Sequence, residues 1–371
     1  MKIAWVANYF NYWKPFNPDT LNVPGKMLGG GETAVVELTE AISNLGHDVH
    51  VYANNTGFKH KQYNTHLSWH DTKYWEKDRL RNWDVVVGCE SADSIIDTPK
   101  AKLRVLHLQL NHPIIQKEQL DKINLAVGVS RWHVGAISDF NPYLLKWGGL
   151  LTDIPEGINT KYSESAKDIA KIPNKVIYAS SPDRGAHHFK EIWPLVTQEI
   201  PEAELHLCYG AYDWAQSARW AMNEASLRAV QIASLYSDPT ITFHKPMDKW
   251  ALARELQSSS LMVYPCDTIA LSEGYCITIL LANASGTPVI TTDCDALGEV
   301  HSHYTAMLQL PVNARQFANT IIELLTDNSV WTKYSDAGLA RESSWEHIAP
   351  KWIELFNEGL SHECTQGDIN S

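Results

Sequence analysis

Glu273 opens the segment with the clearest chemical content: Ser272-Glu273-Gly274-Tyr275-Cys276-Ile277-Thr278-Ile279-Leu280-Leu281-Ala282-Asn283-Ala284-Ser285-Gly286-Thr287-Pro288-Val289-Ile290-Thr291-Thr292. It reads as a turn, a short helix, a glycine stop and a buried strand. Thr278 can cap the helix, and the backbone amides of Cys276, Ile277, Thr278 and Ile279 point out of its N-terminus. Unpaired amides and the helix dipole both favour negative charge there. A carboxylate beside an anion site suits a sugar carried on a diphosphate. A second element is Ser180-Ser181-Pro182-Asp183-Arg184-Gly185, after a strand. An Arg in such a turn can grip phosphate oxygens with two parallel donors; the alternative is an Arg paired with Asp183. A third is Gly29-Gly30-Gly31-Glu32, between the first strand and its helix. These glycines let a ligand approach the backbone. The spacing is not G-x-G-x-x-G and no acid closes the second strand, which speaks against a dehydrogenase.

Other groups carry less. His107 ends a buried strand, where a histidine is more often a satisfied core residue than a catalytic one; His112 is its rival. His187-His188 reads as a surface pair on a helix. Asp293-Cys294-Asp295 has no third ligand spaced for a metal and reads as a turn. Between Lys59 and Arg81, basic residues interleave with Tyr63, Trp69, Tyr74 and Trp75. That stretch reads as a solvated loop and helix face, with an acceptor or nucleic-acid groove as the alternative.

Short β-rich runs alternating with helical periodicity must position these groups. That is the pattern of parallel α/β sheets. Strands are expected at 2–7, 48–52, 84–88, 103–108 and 125–129, then at 176–179, 205–208, 241–243, 261–264, 289–291 and 307–310. A helix over 32–45 has Val35, Leu38, Ala41, Ile42 and Leu45 on one face. The fold class is α/β with two doubly wound Rossmann-like domains. The first spans 1–158, a polar linker 159–174, the second 175–330, a helical segment 331–360 and a flexible tail 361–371. Ligands of open α/β sheets bind at the carboxyl ends of the strands, so the expected site is a cleft between the two domains.

The chain has 371 residues, enough for two cores, and a net charge of −12. That charge opposes a broad electrostatic footprint on duplex DNA. No run approaches the roughly 18 apolar residues of a membrane span. The six cysteines are scattered, so they read as reduced thiols of a cytoplasmic protein. The Asn54 N-x-T sequence carries no expected glycan.

The ordered motifs resemble a family, the retaining GT-B glycosyltransferases of the family 4 type. GGGE with LGHDVHVY, GVSRWH, EGIN, SSPDRG and SEGYCITILLANASGTPVITT with ALGEV follow the family's order across nearly the whole chain. The resemblance implies a nucleotide-diphosphate sugar donor such as a UDP- or GDP-sugar, transfer with retention, and no metal or cofactor. It implies that Glu273 contacts the donor sugar and that Arg184 neutralises the leaving diphosphate. The amides of Cys276 to Thr278 add to that charge stabilisation, Gly29–Gly31 approach the phosphate or acceptor, and His107 sits beside the reacting sugar. Ser180 belongs to the phosphate turn. It also implies a last helix that crosses back to the first domain.

Three positions depart from the family pattern. Leu281 stands eight residues after Glu273, where a second glutamate holds the ribose; Glu299 is a candidate substitute. His244-Lys245 replaces a site that usually has glycine, and Lys245 offers an extra phosphate contact. Glu156 replaces an asparagine. The acceptor stays open: a glycan, a small molecule or a modified DNA base. A non-catalytic protein that binds a nucleotide or a partner is the competing reading, motivated by Leu281. No integral membrane contact is expected.

Overall fold

The computed structural model describes residues 1–7, 15–54, 59–111, 115–221 and 223–367, with side chains to 361 in the last helix. The His112 alternative and the rest of the Asn54 sequence fall outside these residues, as does the side chain of Cys364. The chain forms two compact units.

The first unit comprises Met1–Thr20, Leu28–Ile158 and Ser343–Ser371. Its strands are β1 (Lys2–Ala7), β2 (Asp48–Ala53), β3 (His60–Gln62), β4 (Leu67–Asp71), β5 (Trp83–Cys89), β6 (Ala101–His107), β7 (Leu125–Gly128) and β8 (Leu150–Asp153). They form one sheet in the order β3-β4-β2-β1-β5-β6-β7-β8. Only β3 runs antiparallel to its neighbour. Central strands such as β1 are buried along nearly their whole length, as expected when helices cover both faces of a parallel sheet. The Gly30–Asn44 helix starts two residues earlier than its apolar pattern indicates, so Gly30 and Gly31 form its first turn and Gly29 its N-cap.

The stretch 59–81 is not a solvated loop. It contains β3 and β4, and Trp69 and Trp75 are in the core. The strand pattern of β4 is hidden by its polar residues, which bury by bonding to one another. Ser68 Oγ meets His50 Nδ1 at 3.0 Å, and His70 Nε2 meets the same nitrogen at 3.2 Å. Lys61, Arg79 and Arg81 are paired with Asp19, Glu76 and Asp78. The two tryptophans are therefore unable to stack on bases.

The second unit comprises Leu21–Met27 and Asn159–Glu342. Its strands are β9 (Ile172–Tyr178), β10 (Glu204–Leu207), β11 (Ile241–Phe243), β12 (Ser259–Tyr264), β13 (Val289–Thr292) and β14 (Ala306–Leu308). They form an all-parallel sheet ordered β11-β10-β9-β12-β13-β14. The expected linker is part of this unit: 159–174 holds the Lys161–Ala166 helix and the start of β9. Lys171 from that stretch donates to the Ser285 carbonyl at 3.1 Å, closing the end of the Ile277–Ala284 helix. Leu21–Met27 joins this unit through Gly25, whose N–H donates to Asp248 at 3.1 Å. The Asn328–Leu339 helix belongs here as well, and the helix Trp345–Gly367 belongs to the first unit. That last helix runs through much of the segment expected as a flexible tail. No helix among the described residues is long and apolar enough to cross a membrane.

Candidate functional site

The second unit brings Arg184 and Glu273 together. Arg184 lies in the turn after β9, and Glu273 precedes the Ile277–Ala284 helix. The Arg184 guanidinium donates directly to the Glu273 carboxylate. Glu273 is 2% exposed and the Arg184 side chain 30%, so the pair has a buried acid and a reachable base. Burial opposes the charge on Arg184, but the Glu273 carboxylate outweighs it and holds the guanidinium pKa above its ordinary value.

Both arms are braced by residues whose role the sequence does not reveal. Arg228, buried on the Glu224–Ser234 helix, donates to the Asp183 carbonyl and to the Asp267 carboxylate, each at 2.7 Å. It therefore pins the turn that carries Arg184. Gly185 adopts φ 113°, and a β-carbon there would lie 2.0 Å from the Pro265 carbonyl oxygen. Only glycine fits such a position. On the other arm, Asp295 accepts from the Ser272 N–H at 2.9 Å, the Glu273 N–H at 3.1 Å and the Thr268 hydroxyl at 3.0 Å. The Asp-x-Asp stretch is thus a turn, as its spacing suggested, and its second acid fixes the backbone of Glu273. Next along the chain, Arg341 donates to His301 Nδ1 at 2.7 Å, and His301 Nε2 donates to the Tyr275 carbonyl at 2.6 Å. Burial lowers the His301 pKa to about 3, so it acts here as a neutral strut.

The helix after Glu273 starts at a left-handed Cys276, φ 70°, with no side-chain cap. Thr278 is not the cap; it lies one residue inside the helix. The amides at this end therefore face outward without a side-chain acceptor, which suits an anion. Burial pushes the Cys276 thiol well above its ordinary pKa, and Glu273 adds to that. Ser180 is buried beside the Arg184 turn, and Ser181 bonds to Asp183. Leu281 is 4% exposed and offers no acceptor to a ribose.

The remaining sequence candidates separate. Lys245 is exposed and paired with Asp213 at 3.1 Å; no contact among the described residues ties it to Arg184 or Glu273. Glu299 is exposed on the Leu297–His301 helix. The backbone joins that helix to the site, since the Ala296 N–H donates to the Glu273 carbonyl at 3.1 Å. His187 and His188 are half-buried against Asp267 rather than free on the surface; His188 lies 2.8 Å from it. Arg228 already neutralises Asp267, which weakens this trio as a cation site. His107 belongs to the first unit. It is 2% exposed, its ring enclosed by Trp5 at 5.8 Å and Trp352 at 4.9 Å. Burial lowers its pKa to about 3, so it is a neutral imidazole.

The pair, its braces other than Arg341, and the uncapped helix lie within residues 174–327, the span that matches the family model described as glycosyl transferases, group 1. That span of the second unit is similar to the group 1 glycosyl transferases. No curated protein sequence matches it. Solved structures extend the likeness to the whole fold. A sucrose-phosphate synthase from Thermosynechococcus elongatus is 15% identical with a TM-score of 0.69, over 98% of this chain and 100% of that one. A glycosyltransferase involved in avilamycin A biosynthesis is 14% identical with a TM-score of 0.65, over 98% and 99%. A trehalose-6-phosphate synthase is 9% identical with a TM-score of 0.69, over 96% and 99%. The chain therefore has the GT-B type of fold, two parallel-sheet Rossmann-like domains with C-terminal helices.

Proposed function

We propose that the second unit holds the nucleotide-sugar donor through Arg184, Glu273 and the amides of Cys276, Ile277 and Thr278. The observation that carries this reading is the Arg184–Glu273 pair beside an uncapped helix start. Arg184 can turn from the carboxylate toward the donor's diphosphate while keeping a charged partner. In the reaction the glycosidic bond to the diphosphate breaks and negative charge grows on the leaving oxygen. The guanidinium and the helix-end amides stabilise that charge where it forms. Glu273, released from Arg184, accepts hydrogen bonds from the sugar's hydroxyls. The acceptor oxygen attacks on the face the nucleotide leaves, so the anomeric configuration is retained. Ser180 lines the phosphate turn.

A pneumococcal O-GlcNAc transferase solved with UDP and GlcNAc has a related fold, at 14% identity and a TM-score of 0.58 over 80% of this chain and 62% of that one. Its bound UDP supports the choice of a uridine nucleotide for the first trial. The test is a panel of UDP- and GDP-sugars, read by thermal shift and by slow release of free sugar. At least one donor is expected to raise the melting temperature and to be hydrolysed. No response to any donor rules out this reading and leaves the non-catalytic one, which Leu281 favours.

A further inference from the structure

The first unit contains buried acids that this mechanism does not use. Glu90, at the end of β5, is 1% exposed, and Glu156, beyond β8, is 4% exposed. Gln109, beyond β6, bridges them. Its backbone N–H donates to Glu90 Oε1 at 2.6 Å and its side-chain amide donates to Glu156 Oε1 at 3.0 Å. The Leu110 N–H adds a bond to Glu90 Oε1 at 3.1 Å. One oxygen of each carboxylate is thus held firmly.

The opposite atoms are bare. Among the described residues, Glu90 Oε2, Glu156 Oε2 and Gln109 Oε1 are buried with no hydrogen-bond partner. Asn111, two residues on and 4% exposed, has neither amide atom paired, and His107 Nδ1 lacks a partner too. Buried polar groups left unmade cost folding free energy, and native chains rarely keep several in one place. Glu90 also adopts φ 61°, a left-handed conformation costly for a non-glycine residue. A cluster of this kind is prepared for a ligand.

Its chemistry selects that ligand. Four of the bare atoms are acceptors: the two carboxylate oxygens, Gln109 Oε1 and Asn111 Oδ1. No Lys or Arg bond reaches Glu90 or Glu156 among the described residues. Burial pushes Glu90 up to about 8 and Glu156 up to about 7, with Glu156 raising Glu90 and Glu37 raising Glu156. The histidine and cysteine neighbours are neutral near pH 7. His107 and His133 are lowered by burial to about 3 and about 4, and burial raises the Cys89 thiol. The two carboxyls therefore share only a fraction of one negative charge at neutral pH, and more above it. An anion would be repelled, and a neutral hydroxyl would leave the charge buried. A primary ammonium supplies three donors and cancels it.

We propose that Glu90 and Glu156, bridged by Gln109, form the acceptor-recognition site, and that its occupant carries a primary ammonium group, as an amino sugar does. The acceptor role rests on the transferase reading above; the ligand site rests on the first unit alone. The experiment is calorimetric titration of the full chain with D-glucosamine, N-acetylglucosamine and glucuronate, for wild type, Glu156→Gln and Glu90→Gln. Glucosamine is expected to bind at least tenfold tighter than N-acetylglucosamine and glucuronate not at all. Its affinity is expected to rise between pH 6 and 7.5 as the carboxyls ionise. Each Gln variant is expected to lose that tenfold preference while keeping wild-type affinity for UDP, which also shows that it folds. Equal binding of glucosamine and its N-acetyl form would mean hydroxyl recognition and overturn the proposal. So would saturable glucuronate binding, no saturable glucosamine binding, or an unchanged preference in both variants. If glucosamine binds as expected while no nucleotide sugar is bound or hydrolysed, the transferase reading fails and the ammonium site stands.

Discussion

Arg184 bonds to Glu273 across 89 residues of sequence, joining the turn after β9 to the turn before the Ile277–Ala284 helix. Each is the other's partner. A donor that engages both must replace their bond with contacts of its own, so the pair links donor binding to local stability.

Removing the charge from either member should cost activity and fold differently. Arg184→Ala and Glu273→Gln are each expected to lower turnover at least ~100-fold, the scale for one preorganised charge-stabilising group. Arg184→Ala leaves the Glu273 carboxyl group, 2% exposed, without its partner. It should therefore lose about 3 kcal/mol of stability, the low end for a broken buried pair because Arg184 keeps solvent contact. The double variant should recover most of that loss in urea unfolding. A double variant less stable than Arg184→Ala would show that the pair is not what braces the turn.

Gly185→Ala tests the turn itself. Its β-carbon would meet the Pro265 carbonyl oxygen at 2.0 Å, whereas a β-carbon at Gly46, also at positive φ, meets nothing within 4 Å. Gly46→Ala should cost about 1 kcal/mol for the backbone conformation alone, and Gly185→Ala at least about 2 kcal/mol more. UDP binding is expected to weaken only in the Gly185 variant. Comparable melting temperatures for the two would refute the close approach.

Asp295→Asn addresses a support the motif does not advertise. Asp295 accepts from both the Ser272 and Glu273 amides, and an amide in its place weakens bonds that fix Glu273. Turnover is expected to fall about tenfold with little change in UDP affinity, since small displacements of a positioning group cost rate before binding. A change confined to affinity would assign Asp295 to the nucleotide instead.

Leu281→Glu returns the carboxylate that the family pattern has at this place. Leu281 is 4% exposed, so the new acid is buried without a partner until a ribose supplies hydroxyls. UDP or GDP affinity should tighten about tenfold, or about 1.4 kcal/mol, while the free protein loses stability. Destabilisation with no gain in affinity would show that the ribose pocket has been rebuilt around leucine.

The buried acids of the first unit should appear in the pH dependence of stability. Glu156 is raised from 4.5 to about 7 in the fold by burial. Its protonated form is favoured only in the folded state, so it is harmless below pH 4.5, and stability is lost as pH rises from there to about 7. Glu156→Gln does not titrate. It should therefore gain on wild type between pH 5 and pH 8, by on the order of 1–3 kcal/mol. Parallel stability curves across that range would mean that Glu156 is ionised in the folded protein.

Much of this protein could be read from its sequence because the signals are local. Apolar runs fixed the central strands to within a few residues, and the order of strand, turn and helix located Arg184 and Glu273 without coordinates. Where polar side chains bury by satisfying one another, the periodicity failed. β4 was missed because Ser68 and His70 bond to each other and to His50, and Trp69 and Trp75 read as surface rings for the same reason. The polar run 159–174 read as a linker although Lys171 ties it to the Ile277–Ala284 helix. Sequence alone thus determined the fold class and singled out Arg184 and Glu273, each of which lies inside a short contiguous motif. Tertiary structure alone decided that Arg184 and Glu273 pair, that Arg228 and Asp295 hold them, and that Gln109 joins Glu90 to Glu156. Those are contacts between residues distant along the chain, and only the packing of whole elements brings such residues within hydrogen-bonding distance.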